Sequence, residues 1–61
     1  MHKGKELKIK RIILDIKATD IAKELGVHKS YISLMETGRR EIPLHIYRKW
    51  NGFLNVKSKI N

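Results

Sequence analysis

Asp20–Gly38, DIAKELGVHKSYISLMETG, is the stretch from which the rest of the chain is read. Ile21, Ala22 and Leu25 fall at i, i+1 and i+4, on one face of a short helix. Gly26 follows at once, where a helix end favours a residue able to enter the left-handed region. Val27 is then an apolar plug in a tight turn, and a second helix is predicted from about His28 to Thr37. In it Ile32 and Met35 share one side, while Lys29, Ser30, Ser33 and Thr37 lie on the other. Small Ala22 lets the two helices cross closely, at the ~90–120° of two helices joined by a short turn. Gly38 ends the second helix, and Arg39-Arg40 follow.

A helix that turns short polar and cationic residues outward and leaves through Gly-Arg-Arg suits a DNA major groove, which is about 12 Å wide. A helical hairpin with a merely solvated outer face fits the apolar pattern as well. The Ala-x-x-x-Gly spacing, the apolar turn residue and the basic exit favour DNA. Ile21–Arg40, IAKELGVHKSYISLMETGRR, resembles without a gap the core of the lambda repressor/Cro-type (XRE) helix-turn-helix family, in which LA-x-x-LGV-S-x-SYIS-x-x-E-x-GRR is common. The resemblance implies an all-α, compact domain of four to five helices. It also implies a sequence-specific transcriptional regulator of the repressor/Cro type, with residues 28–37 as its recognition helix. Such a protein acts on double-stranded DNA as a homodimer, formed in some cases only on the operator. The inverted repeat then has half-site centres ~34 Å apart. A phage or mobile element is the setting that the family suggests.

Composition agrees. The chain has 61 residues, one small domain near the lower size limit for folding without staples. It has no cysteine, hence no disulfide framework and no thiolate metal site. Fourteen Lys and Arg against six acidic residues give a net charge of +8, which favours a polyanionic partner. With no long apolar run, the chain reads as cytoplasmic and, when on DNA, nucleoid-associated.

Taken from the start, residues 1–5 (MHKGK) read as a short basic arm, and His2 has no assigned role. Helix 1 is predicted from Gly4 or Lys5 to Leu14. Leu7, Arg11 and Leu14 share one line, and Ile9, Ile12, Ile13 and Ile16 widen the apolar face. Lys8 and Lys10 point outward, and Lys10 is a candidate phosphate contact. In lambdoid phage repressors an Arg at the place of Arg11 pairs with a Glu at the place of Glu36. The resemblance therefore implies an ion pair that orients helix 3 on helix 1 more than it stabilises the fold.

The link into helix 2 departs from the family pattern. Asp15, Lys17 and Ala18 stand where Gly, a Ser or Thr cap and a phosphate-gripping Gln are usual. Lys17 and Thr19, with the free N–H groups of the helix start, remain candidates to hold a phosphate. In helix 3 the resemblance implies base contacts from Lys29, Ser30 and Leu34, with His28, Tyr31 and Ser33 at the margin. His28 occupies a usual Ser or Thr position and reads as an exposed histidine. Thr37, Arg39 and Arg40 match positions that bind phosphates, which set register and not sequence.

Pro43 suits the first turn of helix 4, predicted from about Pro43 to Asn51 or Leu54. Leu44, Tyr47, Trp50 and Leu54 form its apolar line, with Ile46 and Phe53 beside it, and Asn51-Gly52 is a potential break. Residues 57–61 read as a short basic tail. Helix 5 is then missing or reduced to a turn, which would leave Trp50, Phe53 and Leu54 either to close the core directly or, the favoured reading, to form a self-association surface.

No catalytic function is expected: His2, His28 and His45 are far apart in sequence, and no nucleophile–base set converges. No cofactor, metal, small-molecule ligand or membrane is expected either. The rival reading is a protein-binding regulator, an antitoxin, anti-repressor or co-regulator, using the same fold on a protein partner. The missing Gln and the missing helix 5 are its support.

Overall fold

The computed structural model describes residues 2–60, with the backbone alone described for Ile60. Among these residues four helices follow one another: α1 (Lys3–Ile13), α2 (Ala18–Leu25), α3 (Lys29–Glu36) and α4 (Leu44–Ile60). Among the described residues there is no strand. Helix α3 packs on α1 and α2, and α4 packs on the same two helices.

Local chemistry sets the ends of the central pair. Gly26, at φ 69° and ψ 33°, closes α2 in the left-handed region, and the next amide, of Val27, donates to the Ala22 carbonyl at 3.0 Å. After α3, Gly38 takes φ 81°. The chain then folds back, so that the amides of Arg39 and Arg40 both donate to the Leu34 carbonyl, at 2.9 and 3.1 Å.

One core joins all four helices: Leu7, Ile21, Ala22, Leu25, Ile32, Met35, Ile46, Trp50 and Leu54 are buried together. Burying so many apolar side chains is what holds a chain this short, since each large one contributes roughly 1.5–3 kcal/mol. Trp50 brings its indole N–H inside without a hydrogen-bond partner among the described residues.

The structure corrects several expectations at the periphery. Helix α1 begins at Lys3, so most of the supposed arm is helical, and Gly4 is buried against α3. His2 is the N-cap: its Nδ1 accepts the Lys5 amide at 3.1 Å. Ile9, Ile12 and Ile13 do not widen the buried face; they are 40%, 57% and 75% exposed. Gly4, Leu7, Arg11 and Leu14, three or four residues apart, take the side that meets α3 and α4, and the isoleucines lie on the reverse. Leu44 is likewise exposed, and Ile46 joins Trp50 and Leu54 on the inner line of α4.

Helix α4 runs through Asn51-Gly52 without a break and takes up the supposed tail as far as Ile60; Asn61 lies outside the described residues. A fifth helix is absent among the described residues. Trp50 and Leu54 are at most 1% exposed, and Phe53 is half-buried under the Lys57 ammonium, 5.3 Å from the ring centre. The expected self-association surface at these three residues is therefore not there. The longer helix turns them inward against α1 and α2, which closes the core without further cover.

Candidate nucleic-acid interface

The outer side of α3 forms one wall of an open groove. Lys8 and Arg11 of α1, Ala18 of α2, and His28, Lys29, Ser30, Ser33 and Glu36 line it together. Lys29, Ser30 and Ser33 are exposed, while Tyr31 and Leu34 are half-buried on the flanks of α3. Tyr31 packs on the core and remains partly exposed.

Beneath this groove sits the ion pair. Arg11 Nε donates to Glu36 Oε2 at 2.8 Å, and Nη2 donates to Oε1 at 3.2 Å, a two-pronged contact. Arg11 Nη1 also donates to the Ile16 carbonyl at 2.9 Å. One guanidinium therefore ties α1 to α3 and to the link before α2. The pair is largely out of water, with side chains 13% and 6% exposed.

The link itself shows what the departures from the family pattern do. Asp15 holds φ 58°, a left-handed conformation that Gly would adopt without strain and that Asp tolerates better than most residues. Lys17 occupies the N-cap of α2 and makes no side-chain cap bond among the described residues; only its carbonyl serves the first turn, accepting the Asp20 amide at 3.0 Å. Lys17 and Thr19 are both exposed there.

His28 does more than its exposure suggested. It is the N-cap of α3, and its Nδ1 accepts the Ser30 amide at 3.2 Å and faces Ser30 Oγ at 2.9 Å. The imidazole thus performs the capping task usual for Ser or Thr. Thr37 is also engaged: its hydroxyl donates within α3, to the carbonyls of Ser33 at 3.0 Å and Leu34 at 3.2 Å. A phosphate at Thr37 has to compete with those bonds. Arg39 and Arg40 are exposed at the exit, with backbones held by Leu34.

The two outward lysines of α1 lie on different flanks. Lys10 turns away from α3: its Nζ donates to Asn51 Oδ1 of α4 at 3.1 Å, and it lines grooves with Ile13, Leu54 and Tyr47. Lys8 stands on the α3 side instead. The signal was present, since Lys8 is three residues before Arg11 and therefore shares its flank. Among the described residues no group of three His, Cys, Asp or Glu side chains gathers as a metal site would require. No described helix is long and apolar enough to cross a membrane.

A basic groove walled by a short helix whose polar side faces outward can place cations against phosphates and side chains against base edges. Compared with known proteins, residues 7–59 match the family model HTH_3, described as helix-turn-helix. No curated protein and no solved structure matched the chain.

Proposed function

Because the chain belongs to the helix-turn-helix family of the Cro/C1 (XRE) type and is a DNA-binding regulator of that type, we propose that it binds a specific operator as a homodimer on an inverted repeat. Helix α3 enters the major groove, and Lys29, Ser30 and Leu34 face the bases, with His28, Ser33 and Tyr31 at the margin. Lys17, Thr19, Arg39 and Arg40 hold phosphates on either side, with Thr37 a weaker contact, and Lys8 takes the role first given to Lys10. The observation that carries this reading is the groove itself, in which Lys8, Lys29, Ser30 and Ser33 line one open concavity. Dimer formation follows from scale. One recognition helix of eight residues spans few base pairs, so specificity calls for a second copy one turn of DNA away, at ~34 Å. The site of action is the nucleoid in the cytoplasm.

The test is selection from a random duplex library by the pure protein at two salt concentrations. A palindromic consensus, with affinity that falls steeply as salt rises, is the expected result. Equal weak binding to every sequence would refute the proposal.

A second reading, a protein-partner regulator, draws on one observation: Ile9, Ile12 and Ile13 stand exposed together on the side of α1 turned away from the core. Such a stripe fits the apolar face of a partner helix, and it lies on the reverse of α1 from the face that meets α3. A regulatory partner there and DNA at α3 are therefore compatible.

A further inference from the structure

His28 and Ser30 form a unit whose hydrogen positions follow from the heavy atoms. The Ser30 amide donates to His28 Nδ1 at 3.2 Å, which calls for a lone pair on that nitrogen and, in the neutral ring, for the proton on Nε2. Ser30 Oγ lies 2.9 Å from the same nitrogen. Two lone pairs do not face each other at that distance, so the hydrogen between them is the serine hydroxyl's own. Ser30 has one hydroxyl hydrogen, and with the ring in this tautomer it is aimed at Nδ1, whose one lone pair it shares with the amide.

We infer that His28 sets the polarity with which Ser30 reads DNA. A free serine is ambiguous, because its hydroxyl rotates to donate or accept and can pair with several bases. With its hydrogen held by His28, Ser30 presents two lone pairs to the groove and nothing to donate. It then selects base edges that carry a donor, adenine N6–H or cytosine N4–H. It rejects guanine and thymine, whose O6, N7 and O4 atoms only accept. The neighbouring Lys29 has the opposite character, three donors and no acceptor. The first turn of α3 thereby carries one donor residue and one acceptor residue side by side. His28 is a positioning residue: it acts on specificity through Ser30, and through the cap it gives to α3.

This inference rests on the DNA reading above, and the experiment separates the two. Operators are selected at pH 8 with the wild-type chain, Ser30→Ala and His28→Ser. The base pair whose preference disappears in Ser30→Ala is the one Ser30 contacts. His28→Ser keeps a good N-cap, since a serine hydroxyl there accepts an amide of the first turn, but it is too short to hold Ser30 Oγ. We expect the wild type to prefer A or C over G or T at that position by roughly tenfold, the discrimination of about one hydrogen bond. His28→Ser should bring that ratio to within about twofold while the other positions keep theirs. An unchanged ratio in His28→Ser, or a preference unaffected by Ser30→Ala, overturns the inference. If the wild type selects no sequence, the DNA reading itself fails and the readout falls with it. An independent check needs no DNA: nitrogen-15 NMR of the free protein should show Nδ1 of His28 unprotonated and Nε2 protonated. The reverse tautomer overturns the inference whatever the chain binds.

Discussion

Arg11 on the first helix and Glu36 at the end of the third are joined by two charge-assisted hydrogen bonds, at 2.8 and 3.2 Å, and Glu36 is 6% exposed. The contact fixes the angle at which α3 is presented. Removing one partner leaves the other buried and unpaired, so Arg11→Met should destabilise the fold by about 3 kcal/mol in urea unfolding. Arg11→Met combined with Glu36→Leu should recover most of that loss, because the desolvation penalty of both charges goes with them. The double variant should still bind DNA less tightly, its α3 no longer held at one angle.

Gly4 and Gly52 predict opposite outcomes for the same substitution. A Cβ on Gly4 would overlap the Met35 carbonyl oxygen, and the nearest atoms are backbone that cannot rotate away. Gly4→Ala should therefore cost about 2–3 kcal/mol by forcing α1 off α3. Gly52 lies in the middle of α4 with nothing within 4 Å of its would-be Cβ. Gly52→Ala should stabilise by about 1 kcal/mol, the difference in helix propensity. Thermal melts of the two variants compare them directly.

The link before α2 leaves stability unclaimed. Asp15→Gly relieves a left-handed φ of 58° and should gain about 0.5–1 kcal/mol. Lys17→Ser supplies the cap that α2 lacks and should gain a further ~1 kcal/mol. Lys17→Ser should also weaken DNA binding through loss of a cation, so a variant that is both more stable and tighter on DNA would remove Lys17 from the phosphate contacts.

Burial separates isoleucines that the sequence treats alike. Ile13 is 75% exposed and Ile32 is fully buried. Ile13→Ser should change stability by no more than about 0.5 kcal/mol, whereas Ile32→Ala should cost about 2–5 kcal/mol. Urea midpoints decide it.

On DNA, Lys29→Ala should lower discrimination at one base pair by ~1–3 kcal/mol, and Arg40→Ala should weaken all sequences alike. Lys8→Ala should reduce the slope of log affinity against log salt by about 1, while Lys10→Ala leaves it unchanged. Equal effects of Lys8→Ala and Lys10→Ala would show that the groove on the α3 side is not the one that meets phosphate.

Much of the fold was legible because its signals are local. Ile21, Ala22, Leu25, Gly26, Ile32 and Met35 announce two crossed helices by spacing alone, and a backbone that must turn at Gly26 leaves little choice. The Arg11 and Glu36 contact was readable only through family resemblance, since nothing in a periodic pattern pairs residues 25 positions apart. The cap made by His28 was not legible for a different reason: it depends on a ring rotamer that residue type does not specify.

What the sequence by itself determined is the helix-turn-helix core, the polar face of α3 and the basic charge that suits DNA, all consequences of residue type at short spacing. Tertiary structure alone decided the rest. It decided that α4 continues past Gly52 because its inner residues find α1 and α2 to pack on, so that Trp50 and Leu54 become core instead of surface. It decided that Ile9, Ile12 and Ile13 face outward, and that Lys8 and not Lys10 borders α3. A helix with apolar residues on most of its circumference states no direction; the neighbours that reach it choose which side is buried.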